Sequence, residues 1–269
     1  MCVMLFTNAR DEAKIKEWAA HHLLIGFSKI VIFDHKSKKS LNNVFRDFDK
    51  RVNIINVSNL KVKGIKMHLM NRAAAIAKFL KADWMIYLDA DEFLILNDSF
   101  LGVKHLLSKY NSADSIGINW LMFGSNYLEK EPNGTILESY TRCDNNMNNH
   151  VKSFTRPSCI INAVNPHFYN VSDKNRVVSI SGNIMNGNLA FNPTNVPYNQ
   201  VPAYIAHYVN QSKETFIRRK IEIPSDDTGT FRHINKEDLE NLHKSHNQVV
   251  NEYPKLKYAE NVNKFLEGF

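Results

Sequence analysis

One stretch constrains this chain more than any other: Asp83-Trp84-Met85-Ile86-Tyr87-Leu88-Asp89-Ala90-Asp91-Glu92-Phe93-Leu94-Ile95-Leu96. An apolar run of strand length stops at three acids, Asp89, Asp91 and Glu92, and then resumes, as when a buried strand delivers carboxylates to one edge of a sheet. In an extended Asp-x-Asp the first and third side chains point the same way, so Asp89 and Asp91 share one face. Carboxylates that close repel each other unless a cation or proton lies between them. Oxygen ligands of this kind favour Mn or Mg over zinc, and a pair of protein carboxylates plus substrate phosphates is the usual Mg arrangement. An acidic turn after a core strand is the plainer reading; the apolar runs on both sides weigh toward a metal site.

The residues before this stretch alternate between strand and helix patterns. Residues 2–6 read as a buried strand, residues 7–12 as a loop, and Ile15, Trp18, Ala19, His22 and Leu23 as one helical face stopped by Gly26. Residues 30–33 form a second strand ending at Asp34, 41–48 a short helix, 52–57 a third strand, and Leu69, Ala73, Ile76 and Leu80 mark a longer helix. Right-handed crossovers make such strands parallel. The prediction is an α/β fold, a mostly parallel central sheet with helices on both faces, binding its ligand beyond the carboxyl ends of the strands. Asn8, Arg10, Asp34, Asp89 and Asp91 all fall at those ends.

After Asp91 the pattern loosens. A helix is expected over 101–110 and a strand over 116–123, stopping at Gly124-Ser125. Residues 126–201, rich in Asn, Pro and Gly, read as loops with short strands at 152–155, 159–164 and 177–180 that shape a second binding site. A strand over 203–208 carries His207, an amphipathic stretch spans 213–221, a turn 225–230, and a polar helix 236–250. We expect a single domain over 1–269: a nucleotide-binding half (1–96), an acceptor and metal-completing half (97–224), and a C-terminal turn and helix (225–269).

At 269 residues and 43% hydrophobic content the chain can bury a sizeable core. Its net charge of +7 is spread along the sequence, which suits phosphate-bearing or acidic partners and equally a solvated Lys- and Asn-rich surface. Three cysteines without a Cys-x-x-Cys pair indicate neither a disulfide framework nor a zinc ribbon, and favour a reducing compartment. With no long uncharged apolar run, the expectation is a cytoplasmic protein without signal peptide or membrane segment, and without a nucleic-acid partner. Neither a Gly-x-Gly-x-x-Gly, a Gly-Lys-Ser/Thr nor a Gly-x-Ser-x-Gly is present, which disfavours dinucleotide oxidoreductases, P-loop enzymes and α/β-hydrolases.

An ordered set of short motifs resembles the GT-A glycosyltransferases of family 92 and their family 2-like relatives. It comprises Asn8-Ala9-Arg10-Asp11-Glu12, Glu17-Trp18, His22 to Gly26, Ile32-Phe33-Asp34, and Asp83-Trp84 leading to Leu88-Asp89-Ala90-Asp91-Glu92-Phe93. Asn119-Trp120, Phe123-Gly124-Ser125, Lys152-Ser153, Arg156-Pro157, His167, His207-Tyr208, Ser212-Lys213-Glu214, Phe216 and Lys220 follow in order, so the resemblance covers residues 1 to about 220. It implies a GT-A fold, a UDP-sugar donor and a divalent ion, Mn or Mg. By position Thr7, Asn8, Arg10 and Asp34 would hold the nucleoside, Asp89, Asp91 and His207 the metal, and Trp120 and Phe123 with the Gly124-Ser125 loop the acceptor. Ile221-Glu222-Ile223 departs from the Arg-Gly that often follows the Lys220 helix in the family.

Sugar transfer passes through an oxocarbenium-like state while negative charge builds on the departing diphosphate, so a cation held there gives the largest gain. Lys152, Arg156 or Lys213 could add positive charge to the same phosphates. Inversion would also need a carboxylate base, for which Asp226 and Asp227, in a Gly-containing turn, are candidates and Glu129 another. The reading is therefore a metal-dependent transferase moving galactose or a similar hexose or pentose from a UDP-sugar to a glycan hydroxyl, with inversion. The competing readings are a metal-dependent phosphoryl-transfer enzyme or nuclease and a non-catalytic glycan-binding module.

Overall fold

A computed structural model describes residues 1–269 apart from Lys63 and Asp227. β1 (Val3–Ala9) is an inner strand of the main sheet, and its alternating side chains feed apolar layers on opposite faces. Val3 and Leu5 pack with Trp18, Ile30 and Ile86, whereas Met4 and Phe6 pack with Val31, Met85 and Leu69. That period of two is why helices cover both faces. α1 (Ile15–Leu24) lies on the first face and stops before Gly26, whose φ of 102° favours glycine.

Then come β2 (Lys29–Asp34), α2 (Leu41–Val44), β3 (Val52–Asn56), α3 (Ile65–Phe79) on the second face, and β4 (Trp84–Tyr87). After a short link, β5 (Glu92–Leu96), α4 (Val103–Leu107), β6 (Ser115–Met122), α5 (Ile136–Ser139), β7 (Arg142–Cys143) and β8 (Val151–Thr155) follow. Next are β9 (Ile160–Asn165), β10 (Phe168–Val171), β11 (Val177–Ser179), β12 (Ala203–His207) and α6 (Lys213–Phe216), which continues as a π-helical turn over Ile217–Ile221. α7 (Lys236–Lys244), β13 (Val249–Val250) and α8 (Glu260–Glu267) end the chain.

Among the described residues the main sheet runs β3-β2-β1-β4-β8-β6-β12-β5, with β11 beside β6. β1 pairs in parallel with β2 and β4, and β12 with β6, while β8 and β5 run antiparallel to their neighbours. A single residue pair, Met85 with Thr155, joins β4 to β8. The sheet is therefore curled enough for Leu88–Asp91 to step from the tip of β4 to β5, four strands further along. The mostly parallel α/β architecture matches the expectation.

Several boundaries differ from it. The first strand runs to Ala9, so Thr7 and Asn8 belong to the strand and not to a loop. The helix expected over 101–110 is only Val103–Leu107. The C-terminal helix ends at Lys244 because His246 adopts a φ of 60° and the Asn247 side chain donates to the carbonyls of His243, Lys244 and Ser245, leaving Val249–Val250 to pair with β7. No helix of the described residues is long and apolar enough to cross a membrane.

Candidate active site

The acids occupy the link between the sheet halves, and the backbone ties that link at both ends. Leu88 N–H donates to the Phe6 carbonyl (3.0 Å) and Tyr208 N–H to the Asp91 carbonyl (2.9 Å). The Asp89 N–H donates to Glu92 Oε2 (2.9 Å), closing the turn between them. Glu92 is fully buried, and burial pushes its carboxyl up while Lys152, 3.5 Å away, opposes the shift.

Each aspartate is held by basic side chains, Asp89 from two elements and Asp91 chiefly from one turn. Lys66, in the first turn of α3 and two residues after Gly64 with its φ of 66°, places Nζ 2.5 Å from Asp89 Oδ1. Lys152, whose side chain is 1% exposed on β8, places Nζ 3.3 Å from Asp89 Oδ2 and donates to the Pro166 carbonyl (3.1 Å). Asp91 Oδ2 lies 2.9 Å from Arg219 and 3.3 Å from Lys220, both on the π-helical turn, and Oδ1 faces His207 Nε2 at 3.7 Å. Arg219 also reaches Glu12 (2.8 Å). Burial alone would raise both aspartates, yet Lys152 and Lys66 hold Asp89 well below the usual carboxylate range, and Arg219 and Lys220 do the same for Asp91.

These groups line a cleft of about 270 Å³ with Asn8, Arg10, Trp120, His167, Asp226 and Arg232. A neighbouring hollow of about 360 Å³ is lined by Arg10, His35, Leu60, Val62 and Ile65. The segment 224–226 walls both. Asp226 Oδ2 accepts from Asn8 Nδ2 (2.5 Å) and Oδ1 from His35 Nδ1 (2.8 Å), while Tyr87 OH donates to Asn8 Oδ1 (2.9 Å). Burial, with Lys152 nearby, pushes His167 down to about 4; its Nδ1 donates to the Val151 carbonyl (3.0 Å).

Of the residues singled out in the sequence, Asn8, Arg10, Asp89, Asp91, Lys152, Trp120, His167, His207 and Asp226 converge on this cleft. Others do not, and each has a structural duty instead. Thr7 is fully buried in β1. The Asp34 carboxylate accepts N–H groups from Ser37 (3.2 Å) and Leu41 (2.9 Å), shaping the turn into α2. Arg156 lies at the opposite end of the sheet, donating to the Ala113 and Asn111 carbonyls with its guanidinium 4.3 Å from the Trp84 ring centre.

The expected acceptor loop is likewise interior. Phe123 is core, Ser125 Oγ donates to the His243 carbonyl (2.6 Å), and a Cβ on Gly124 would meet the His246 carbonyl oxygen and Asn247 Oδ1 at 2.5 Å. This corner is a docking point for α7 and the turn after it. Lys213 pairs with Glu240 and Glu129 on an outer groove. Asp227 lies outside the described residues.

Sequence reasoning passed over Lys66 and Arg219, and gave Lys220 only as part of a resemblance. A signal was present: Arg218-Arg219-Lys220 interrupts an amphipathic stretch, and Lys66 follows the basic run Lys61-Val62-Lys63-Gly64.

An α/β sheet with a cation-rich cleft at the carboxyl ends of its strands is an arrangement suited to an anionic ligand. The chain belongs to glycosyltransferase family 92, whose model matches residues 1–250. S. aureus TarS 1–349 aligns at 12% identity with a TM-score of 0.39, covering 59% of this chain and 48% of TarS; its complex with UDP-GlcNAc aligns at 13% identity and 0.38, covering 59% and 46%. The alignment thus spans about half of the TarS chain. HddC from Yersinia pseudotuberculosis aligns at 11% identity and a TM-score of 0.36, covering 66% of this chain and 91% of that one. No curated protein matches the sequence.

The fit of Asp89, Asp91 and His207 to a divalent ion follows from their partners. The donors are right in kind, paired carboxylates and an imidazole, and the buried His207 Nδ1 has no hydrogen-bond partner. Both Asp89 oxygens and Asp91 Oδ2 are engaged by ammonium or guanidinium groups, and among the described residues no three His, Cys, Asp or Glu side chains stand ready to hold an ion. The set fits provided those basic groups give way.

Proposed function

We propose that the chain transfers a hexose or pentose such as galactose from a UDP-sugar to a glycan hydroxyl, assisted by Mn or Mg and with inversion. The single observation that carries this reading is the paired Asp89 and Asp91 at the strand-tip link, facing basic side chains from both walls of one cleft. Asp89, Asp91 and His207 would hold the ion. A divalent cation there would take up the charge that grows on the departing diphosphate.

The chain's own groups supply the rest. Asn8 and Arg10 bound the nucleoside side, where Leu60, Val62 and Ile65 offer apolar surface to a base. Trp120, with His167 and His207 at ring-centre distances of 5.0 and 4.5 Å, offers a flat face to a sugar. Asp226 is the described carboxylate of the 225–230 turn that lines the cleft and is proposed as the base; its oxygens are engaged by Asn8 and His35 at rest, so it acts only once that contact loosens. We divide the chain as above into a nucleotide half to residue 96, an acceptor half to 224 and a C-terminal segment.

UDP release measured with a panel of UDP-sugars, with Mn and with excess chelator, tests this reading. Donor-dependent release in Mn, lost in the Asp89→Ala, Asp91→Ala double variant, is the expected result. Turnover unchanged in chelator would reject the metal, and UDP-sugar binding without turnover across all acceptors would leave a glycan-binding module.

A further inference from the structure

We infer that the end of the sheet opposite the cleft is a docking face for an anionic lipid surface, whatever sugar the cleft handles. The four most exposed large apolar side chains among the described residues are Leu101 (95%), Phe79 (85%), Leu256 (76%) and Ile161 (66%). They come from distant segments, yet each stands where the parallel strands begin. Phe79 closes α3 shortly before β4, where Asp83 N–H donates to the Cys2 carbonyl (2.9 Å) ahead of β1. Leu101 precedes Gly102 and Val103, whose N–H donates to the Ile25 carbonyl (2.8 Å) ahead of β2. Leu256 lies between Tyr253 and Lys257, which both reach the Leu96 carbonyl where antiparallel β5 ends. Ile161 is the second residue of β9, which starts shortly after Arg156, the residue that covers Trp84 at the foot of β4. Single exposed apolar side chains are ordinary, so it is their gathering at one pole that needs a cause.

Charge selects the occupant. Lysines bracket these apolar tips in the sequence: Lys78 and Lys81 around Phe79-Leu80, Lys104 after Leu101, and Lys255 and Lys257 around Leu256. Lys255 and Lys257 pair with Glu252 and Asp98, whereas Lys78, Lys81 and Lys104 are exposed and form no ion pair among the described residues. Asp83, the acid that follows the Lys81 tip, already accepts the Cys2 N–H (2.5 Å). A protein interface is depleted of lysine and enriched in aromatic residues and arginine. A bilayer surface favours the present mixture: apolar tips enter the headgroup zone while lysine stems lie along it and carry their ammonium groups to lipid phosphates. No membrane-spanning helix is needed for this, and none is present among the described residues. The seven residues of β1 put about 20 Å between this face and the cleft, so a docked chain keeps the cleft open to solution on the side away from the lipid.

The test is flotation of the full chain with vesicles of phosphatidylcholine alone and of phosphatidylcholine with about one third phosphatidylglycerol, over a series of salt concentrations. At low salt the chain should partition to the anionic vesicles about tenfold or more better than to the neutral ones, and less as salt rises. Phe79→Ser with Leu101→Ser should lower that partition about tenfold or more. Lys78→Gln, Lys81→Gln and Lys104→Gln together should lower it by about fivefold per lysine and flatten the salt dependence. Both variants alter exposed side chains only, so their melting temperatures should stay at the wild-type value. Absence of vesicle binding, equal binding to neutral and anionic vesicles, or binding undiminished in both variants overturns the lipid face. Concentration-dependent dimerisation that Phe79→Ser with Leu101→Ser abolishes also overturns it, and makes this end a contact between copies of the chain. UDP release in solution is a separate readout: its absence with vesicle binding intact rejects the proposed activity and leaves the docking face.

Discussion

Arg219 Nη2 lies 2.9 Å from Asp91 Oδ2 while its Nε reaches Glu12 at 2.8 Å, so one guanidinium ties the π-helical turn to the acidic link and to the loop after β1. Both Arg219 and Asp91 are buried, and the two acids raise the arginine's pKa against the effect of burial.

This pair should behave as a unit. Arg219→Met and Asp91→Asn each leave a buried charge short of its partner and should cost about 3–5 kcal/mol in chemical denaturation. The double variant should cost clearly less than the sum, with a coupling of about 1–3 kcal/mol. Additive losses would mean that the ion pair is not formed in solution.

Glu17 gives a pH dependence away from the cleft. Burial pushes its carboxyl up to about 7 from an ordinary 4.5, although the Ile136 and Leu137 N–H groups that it accepts (2.7 and 3.0 Å) pull the other way. Between those values the folded chain keeps a proton that the unfolded chain has lost, so stability falls as pH rises, by up to about 3 kcal/mol. His21, pushed down to about 4 by burial, works in the opposite sense from pH 4 to 6.5, because there the unfolded chain binds the extra proton. The difference curve between wild type and Glu17→Gln isolates the first effect: the variant should gain on wild type by about 3 kcal/mol from pH 4.5 to 8. A flat difference would show an ordinary carboxyl.

Gly124→Ala should destabilise the fold by about 1–3 kcal/mol, since the new methyl group would press on the His246 carbonyl and the Asn247 side chain. Its KM for donor and acceptor should stay at the wild-type value in the folded fraction. A shift in acceptor KM without loss of stability would return this corner to the acceptor site.

Asp226→Asn separates base from wall. As a base, Asp226 supports kcat, and its amide should lower kcat by about a hundredfold or more with UDP affinity kept. If its contacts to Asn8 and His35 serve only to shape the nucleoside wall, donor KM rises instead and kcat holds.

The sheet was legible because β1 to β4 carry near-continuous apolar runs separated by helical spacing, and the acids were legible because a fully buried strand ended on them. Asp34 and Arg156 show where that logic stops. Both sit next to strand ends in sequence, yet the Asp34 carboxylate meets nearby N–H groups first, and Arg156 follows a strand running the other way. Strand direction depends on pairing between distant segments, which local pattern does not encode. Lys66 and Arg219 were hidden for a related reason: they reach the acids from α3 and from a turn more than a hundred residues downstream of the link.

The final residues carry a practical lesson for anyone drawing a boundary for this enzyme. The Leu96 carbonyl, at the exit of the strand that follows the acidic link, accepts Tyr253 OH (3.1 Å), Tyr258 OH (3.2 Å) and Lys257 Nζ (2.9 Å). Val262 is wholly enclosed against the interior, and Phe265 and Phe269 close over Phe48. A fragment trimmed at residue 250, the last residue that the family model matches, would lose the clasp on β5 and expose that seam to water.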